Sequence, residues 1–314
     1  MMRRSYKTER VMISIVDISH VIFRVPDPDR MTTFLNDFGL IPRMVDDRLY
    51  ARGLGASPYL HVTEKGEPGF VALGFRAESE AELRAFGLAE GVEPQRLQRP
   101  GGGLCVTLRD PDGFLIEVVA GQDLPPALQL PPTDGWNNVR QRERIRKVKR
   151  MGNAGANVVR LGHCVLNVSD FRRSEAWYKS RFGFITSDEI AIAGGKGIGA
   201  FLRFDRGDEP TDHHSLALVE TTDTPGFNHA AFEVVDFDDL YAGHVRLSAG
   251  GWEPYWGVGR HLLGSQVFDY WRDPWGNTLE HWTDGDLLTA ADGSNIVPVS
   301  ELMATQWGPP PPFA

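Results

Sequence analysis

The chain has 314 residues, 41% of them hydrophobic and 24% charged, which is enough apolar material for one or two buried cores and excludes a disordered or collagen-like polymer. Its 33 Lys plus Arg against 42 Asp plus Glu give a formal charge of −9, a balance that disfavours nucleic acid as the main partner because phosphate binding needs a concentrated positive surface. No apolar run approaches the ~20 residues that span a membrane, so no membrane partner is expected.

In chain order, the basic start Met1-Met2-Arg3-Arg4 leads into an apolar run, Val11 to Val16, that Asp17 cuts too short for a targeting peptide; a cytoplasmic protein is expected. A strand then carries Asp17-Ile18-Ser19-His20 to Val25, followed by a helix from Asp29 to Phe38 that Gly39 closes. Further strands follow, then a helix over about 78–88 and two closing strands around Arg109-Asp110-Pro111-Asp112-Gly113. Leu124-Pro125-Pro126 to Pro132 reads as a linker, continued by Arg140, Arg142, Arg144, Arg146, Lys147, Lys149 and Arg150 as a solvated or subunit-contact segment.

The whole pattern then recurs. Arg160-Leu161-Gly162-His163 to Val168 repeats the first strand, and a helix capped by Ser169 or Asp170 runs to Phe182 and Gly183. Pro225-Gly226-Phe227 answers Pro68-Gly69-Phe70, Glu253-Pro254 answers Glu93-Pro94, and Arg272-Asp273-Pro274-Trp275-Gly276 answers Arg109 to Gly113, with a second helix over about 236–247. These repeats predict a two-domain α+β protein, with an N-terminal domain over 1–122, a linker over 123–157, a C-terminal domain over 158–285 and an extended tail over 286–314. Cys105 and Cys164 lie in different apolar runs with no Cys-x-x-Cys spacing, so neither a disulfide framework nor a zinc–thiolate site is expected.

Comparison of the two copies isolates the residues that carry chemistry. His163, His229 and Glu280 fall on predicted strands, and together they make a 2-His-1-carboxylate set, the arrangement that leaves coordination positions open on non-haem Fe(II). The matched residues of the first copy are His20, Ala72 and Glu117, so a ligand is missing there and the metal is assigned to the second domain. His214, His261 and Tyr270 likewise occur only in the second copy, where Ser57, Gln98 and Thr107 stand in the first. Trp252, Tyr255, Trp256, Trp271 and Trp275 either line an aromatic pocket or pack the core. Gly194-Gly195-Lys196-Gly197 lacks the spacing of a dinucleotide fingerprint and reads as a hairpin loop, and no organic cofactor is implied.

The stretches Asp212-His213-His214-Ser215-Leu216-Ala217-Leu218, Asn228-His229, Gly259-Arg260-His261 and Tyr270 through Asp273-Pro274-Trp275-Gly276-Asn277 to Glu280 resemble the vicinal oxygen chelate superfamily and, within it, the two-domain type I extradiol catechol dioxygenases. The resemblance covers nearly the whole chain apart from its ends and linker. It implies two tandem glyoxalase/extradiol-dioxygenase-like domains, each a pair of βαβββ modules curving into an incomplete barrel. It further implies Fe(II), with Mn(II) as the alternative ion, on His163, His229 and Glu280, and a catalytic set of His214, His261 and Tyr270. His214 is chosen over His213 by spacing, because strand alternation turns only one of two neighbours into a pocket. Arg260 either contacts substrate or pairs with a carboxylate.

The implied reaction inserts both atoms of O2 into a catechol-type substrate and opens its ring beside the two hydroxyls. Two rivals remain: a glyoxalase-like metal-dependent isomerase or transferase, and a non-catalytic protein that binds an aromatic ligand. A homo-oligomer is expected, as for most soluble enzymes.

Overall fold

A computed structural model of the protein describes residues 11–132, 135–152 and 154–312, and the basic start Met1-Met2-Arg3-Arg4 lies outside them. The first domain runs β1 (Ile15–Val25), α1 (Pro28–Asp37), β2 (Ile41–Val45), β3 (Arg48–Arg52), β4 (His61–Lys65), β5 (Gly69–Ala77), α2 (Glu80–Glu90), β6 (Gln95–Arg96), β7 (Leu104–Arg109) and β8 (Leu115–Ala120). Its single sheet has the order β2-β3-β4-β1-β5-β8-β7-β6, which is two βαβββ modules joined through the antiparallel pair β1 and β5.

The second domain repeats this with β9 (Val158–Val168), α3 (Phe171–Phe182), β10 (Ile185–Ala191), β11 (Gly197–Arg203), β12 (Thr211–Asp212), β13 (Leu216–Glu220), β14 (Gly226–Val234), α4 (Phe237–Ala249), β15 (Glu253–His261), β16 (Val267–Arg272) and β17 (Thr278–Thr283). The order β10-β11-β13-β9-β14-β17-β16-β15 matches that of the first sheet strand for strand, and neither sheet closes into a barrel. No helix among the described residues is long and apolar enough to cross a membrane.

The helices form where local chemistry dictates. Asp27 accepts hydrogen bonds from the amides of Asp29 and Arg30, Pro28 pre-sets the first turn, and Met31, Phe34 and Leu35 form the buried stripe of α1. Asp170 caps α3 through the Arg173 amide, and Gly183 ends it in the left-handed conformation at φ 67°, which L side chains adopt at a cost. The central strand β9 is buried along most of its length because it lies between β13 and β14 and also meets β1 of the first domain.

The two domains share one continuous apolar core. Phe227 stacks on Phe70 at 4.8 Å and meets Phe23 edge-on, while His281 Nε2 donates to the Phe38 carbonyl at 2.7 Å and Tyr178 donates to Asp110 at 3.0 Å. Most of Arg140 to Arg150 is exposed on the segment between the domains.

The tail is not uniformly extended. After β18 (Leu287–Leu288), β19 (Asn295–Pro298) adds to the β10 edge of the second sheet, α5 (Val299–Leu302) makes one helical turn, and β20 (Thr305–Trp307) adds to the β15 edge. These additions cover strand edges whose backbone groups would otherwise stand unpaired.

Candidate metal centre and active site

Strand register brings the distant residues into one row. Across the second sheet His163 stands opposite Ala231, Ala231 opposite Glu280, Glu280 opposite Tyr270 and Tyr270 opposite Trp256. Directly opposed residues share a face, and His229, two positions before Ala231, shares that face as well. The nearest ligand atoms of His163, His229 and Glu280 lie within 4.8 Å of one another, with the two Nε2 atoms 3.3 Å apart and His163 Nε2 3.1 Å from Glu280 Oε2.

This donor set fits a divalent cation. Burial lowers His163 and His229 to about 3, so these imidazoles are neutral with lone pairs available, and burial also raises the Glu280 carboxyl against the pull of His229 and His261. The cluster is therefore not a set of ion pairs despite its short His–Glu distances. Glu280 Oε1 is buried without a hydrogen-bond partner. Asn228 Oδ1 lies 2.8 Å from His229 Nδ1 and accepts a hydrogen bond from its N–H, which leaves Nε2 of His229 as the lone-pair nitrogen facing the cluster. The His163 ring is held by packing between His214 and Trp282.

His214, His261 and Tyr270 all line the cavity of about 240 Å³ in which His163 and His229 also sit. His261 Nε2 and the Tyr270 hydroxyl are 2.9 Å apart. Burial pushes His261 down to about 4 and His214 well below the ordinary histidine range, while burial and the Glu280 charge push Tyr270 well above the ordinary phenol range. At rest, then, the wall of the cavity is a ring of neutral proton donors and acceptors.

His213 and His214 lie between β12 and β13 rather than within a strand, and they diverge there: His213 turns to Asp188, with Nε2 2.8 Å from Oδ2, and His214 turns to the cavity. Arg260 does not reach the cavity; it pairs with Asp284 and donates to the Ser265 carbonyl. Of the aromatic candidates, Tyr255 and Trp256 line the cavity, whereas Trp252 donates to Asp37 across the domain contact, Trp271 is buried in the core against Asp269, and Trp275 packs against the core. Phe201, Leu263, Leu302 and Met303 complete an apolar wall. None of these four carries a sequence signal for function, and the last two come from the tail.

In the first domain His20, Gly74, Glu117 and Thr107 form the matching row, with Ala72 where His229 would be. Arg99 fills that space: its guanidinium donates twice to Glu117, at 2.6 and 2.8 Å, and His20 Nε2 lies 2.9 Å from the same carboxylate. Burial would raise the Glu117 carboxyl, but the bonds from His20 and Arg99 outweigh it and hold it well below the carboxylate range. Removing one partner of a buried pair strands the other, so Arg99→Met is expected to cost about 3–5 kcal/mol of stability in urea denaturation. A loss under about 1 kcal/mol would mean the pair contributes nothing net.

Residues 160–281 match the family model described as the Glyoxalase/Bleomycin resistance protein/Dioxygenase superfamily. Over 310 residues, 95% of this chain and 91% of the relative, the sequence is 27% identical to Metapyrocatechase 2 of Cupriavidus necator. The fold also matches that of solved structures. The Mn(II)-bound glyoxalase from Novosphingobium aromaticivorans superposes with a TM-score of 0.77 at 24% identity, covering 96% of this chain and 94% of that one. The 2,3-dioxygenase LapB from Pseudomonas sp. KL28 gives 0.74 at 19% identity, covering 92% and 99%. Homoprotocatechuate 2,3-dioxygenase from Arthrobacter globiformis gives 0.75 at 20% identity, covering 93% and 87%.

Proposed function

We propose that the protein is an extradiol ring-cleaving dioxygenase that inserts both atoms of O2 into a catechol-type substrate at a non-haem Fe(II) held by His163, His229 and Glu280. The observation that carries this reading is the convergence of two neutral imidazoles on the wall of an apolar cavity with a fully buried carboxylate behind them, and His214, His261 and Tyr270 around the same cavity. The similarity to a metapyrocatechase over nearly the full chain supports it.

Bound Fe(II) supplies the redox chemistry that lets triplet O2 react with a singlet catechol, with coordination positions free beside the three protein donors. The chain's own residues bind, orient and move protons. Tyr270 and His261 form a hydrogen-bonded pair that can take and hold a hydroxyl proton of the substrate. His214, in van der Waals range of His163, is placed to accept a proton, stabilise negative charge developing at its side of the cavity and return the proton later. Phe201, Val165 and Trp256 enclose the aromatic ring and exclude water.

The cavity also limits the substrate. A cavity of about 150 Å³ accommodates benzene, so about 240 Å³ suits one ring with a short substituent. Among the described residues no Lys, Arg or carboxylate lines its walls, so a substituent carboxylate would be buried without a side-chain counter-charge. Uncharged catechols are therefore expected to exceed carboxylated ones by about 10²-fold in kcat/KM, measured side by side on one preparation. Equal values would remove the charge argument.

The structural likeness to a Mn(II)-bound glyoxalase keeps one second reading, metal-dependent isomerisation without oxygen. Anaerobic loading with Fe(II), followed by oxygen and a panel of catechols, separates the two. Stoichiometric O2 uptake with a yellow ring-opened product is expected; metal occupancy without uptake on any catechol would favour the isomerase.

A further inference from the structure

We propose that Asp188 and His213 are positioning residues that set which ring nitrogen of His214 carries its proton, leaving His214 Nε2 bare toward the substrate cavity. The inference rests on the reading of His214 as a proton-handling group of that cavity.

The three side chains form a buried line. Asp188, on β10, places Oδ2 2.8 Å from His213 Nε2, and His213 Nδ1 lies 3.1 Å from His214 Nδ1. Asp188 and both histidines are about 5% exposed, so water does not compete for these bonds. A carboxylate only accepts hydrogen bonds, so His213 Nε2 carries a hydrogen. In the proposed state His213 is the neutral imidazole, with one ring nitrogen a donor and the other an acceptor, so its Nδ1 is bare. That bare nitrogen can only accept, so the hydrogen between the two rings sits on His214 Nδ1. Nε2 of His214 is then the lone-pair nitrogen left for the cavity that His214 lines.

The backbone of His213 is pinned too. Ser187 donates to its carbonyl at 2.6 Å, and Arg203 Nη1 donates to Ser187 Oγ at 2.8 Å while its Nη2 ties down the carbonyls of Thr289 and Gly293. Asn295, from β19, donates to Asp188 Oδ1 at 3.1 Å. This last bond gives the proposal its sharpest consequence. In D188N the side-chain oxygen stays with the Asn295 donor, the amide nitrogen turns to His213 Nε2, and that nitrogen must accept. His213 then carries its hydrogen on Nδ1, and His214 is driven to the opposite tautomer, with Nε2 protonated.

Long-range 1H–15N spectra of full-length, [15N]histidine-labelled protein holding diamagnetic Zn(II) read the tautomer directly. The wild type is expected to show His214 protonated at Nδ1, and D188N to show it protonated at Nε2. With Fe(II), D188N is expected to lower kcat for catechol ring opening by about 10²-fold while KM moves less than about threefold. H213N, which keeps an oxygen acceptor toward His214, should recover more of kcat than H213L. A wild-type His214 protonated at Nε2, or an imidazolium at His213, overturns the proposal, as does D188N with unchanged tautomer and kcat within about threefold. The wild-type spectrum decides the matter even where a variant fails to fold. Absence of ring opening by wild-type enzyme would sink the functional reading and leave the tautomer result standing on its own.

Discussion

His229→Ala is expected to leave the fold intact, abolish retention of a divalent cation through dialysis and lower ring-opening turnover by at least about 10³-fold. The side chain stands at the cavity wall with 14% of its surface exposed, so its removal deletes a donor without hollowing the core. The first domain already carries this substitution: Ala72 occupies the matching position, and there the remaining His20 and Glu117 close around the Arg99 guanidinium in place of a metal. In the second domain Leu262 follows His261 where Arg99 follows Gln98 in the first, and among the described residues no Lys or Arg lines the cavity, so His163 and Glu280 are left as two donors. Metal content by elemental analysis, with circular dichroism as the check on folding, tests this. Stoichiometric metal with turnover within tenfold of wild type would mean that His229 is not a ligand.

His214→Ala is expected to keep the metal and lose about 10³-fold in kcat, within the range that positioned acid–base groups contribute. His214 donates nothing to the three-residue cluster, yet its ring centroid is 4.2 Å from that of His163 and it faces the same cavity. KM is expected to change little, because the group acts on charge that appears during the reaction rather than on the resting substrate. Steady-state kinetics on metal-replete protein reads the split. A variant that loses metal in parallel with activity would instead make His214 part of the coordination shell, and one with unchanged kcat would remove it from the mechanism.

Much of this site was legible along the chain because the fold is a duplication. Each copy serves as the other's control, so a histidine at 229 against an alanine at 72 points to the second copy as the proposed seat of the chemistry, and His163, His229 and Glu280 come together on strands that lie side by side. Helix caps at Asp170 and Gly183 were equally local, since they depend on a few consecutive residues. Strand alternation was expected to separate His213 from His214, but the two lie in the connection between β12 and β13, where the Asp188 contact turns His213 away.

Other features had no signature of their own. Arg99 could not be placed against Glu117 from sequence, because the two meet only when β8 and the loop before β7 fold over the same concave face. Asp188 and Asn295 are 107 positions apart and meet because the tail strand β19 adds to the free edge of β10. The tail reads as extended by composition, yet it makes one helical turn, pairs its backbone with β15 beside His261 and carries Leu302 and Met303 into the cavity wall. The sequence by itself determined the two-domain α+β architecture, the helices and the set of chemically competent side chains, because these follow from local period, capping and internal repetition. Tertiary structure alone decided which cation stands in the first site, what closes the second and what fixes the tautomer of its histidine, because each depends on edge pairing and burial between segments that carry no mark of one another.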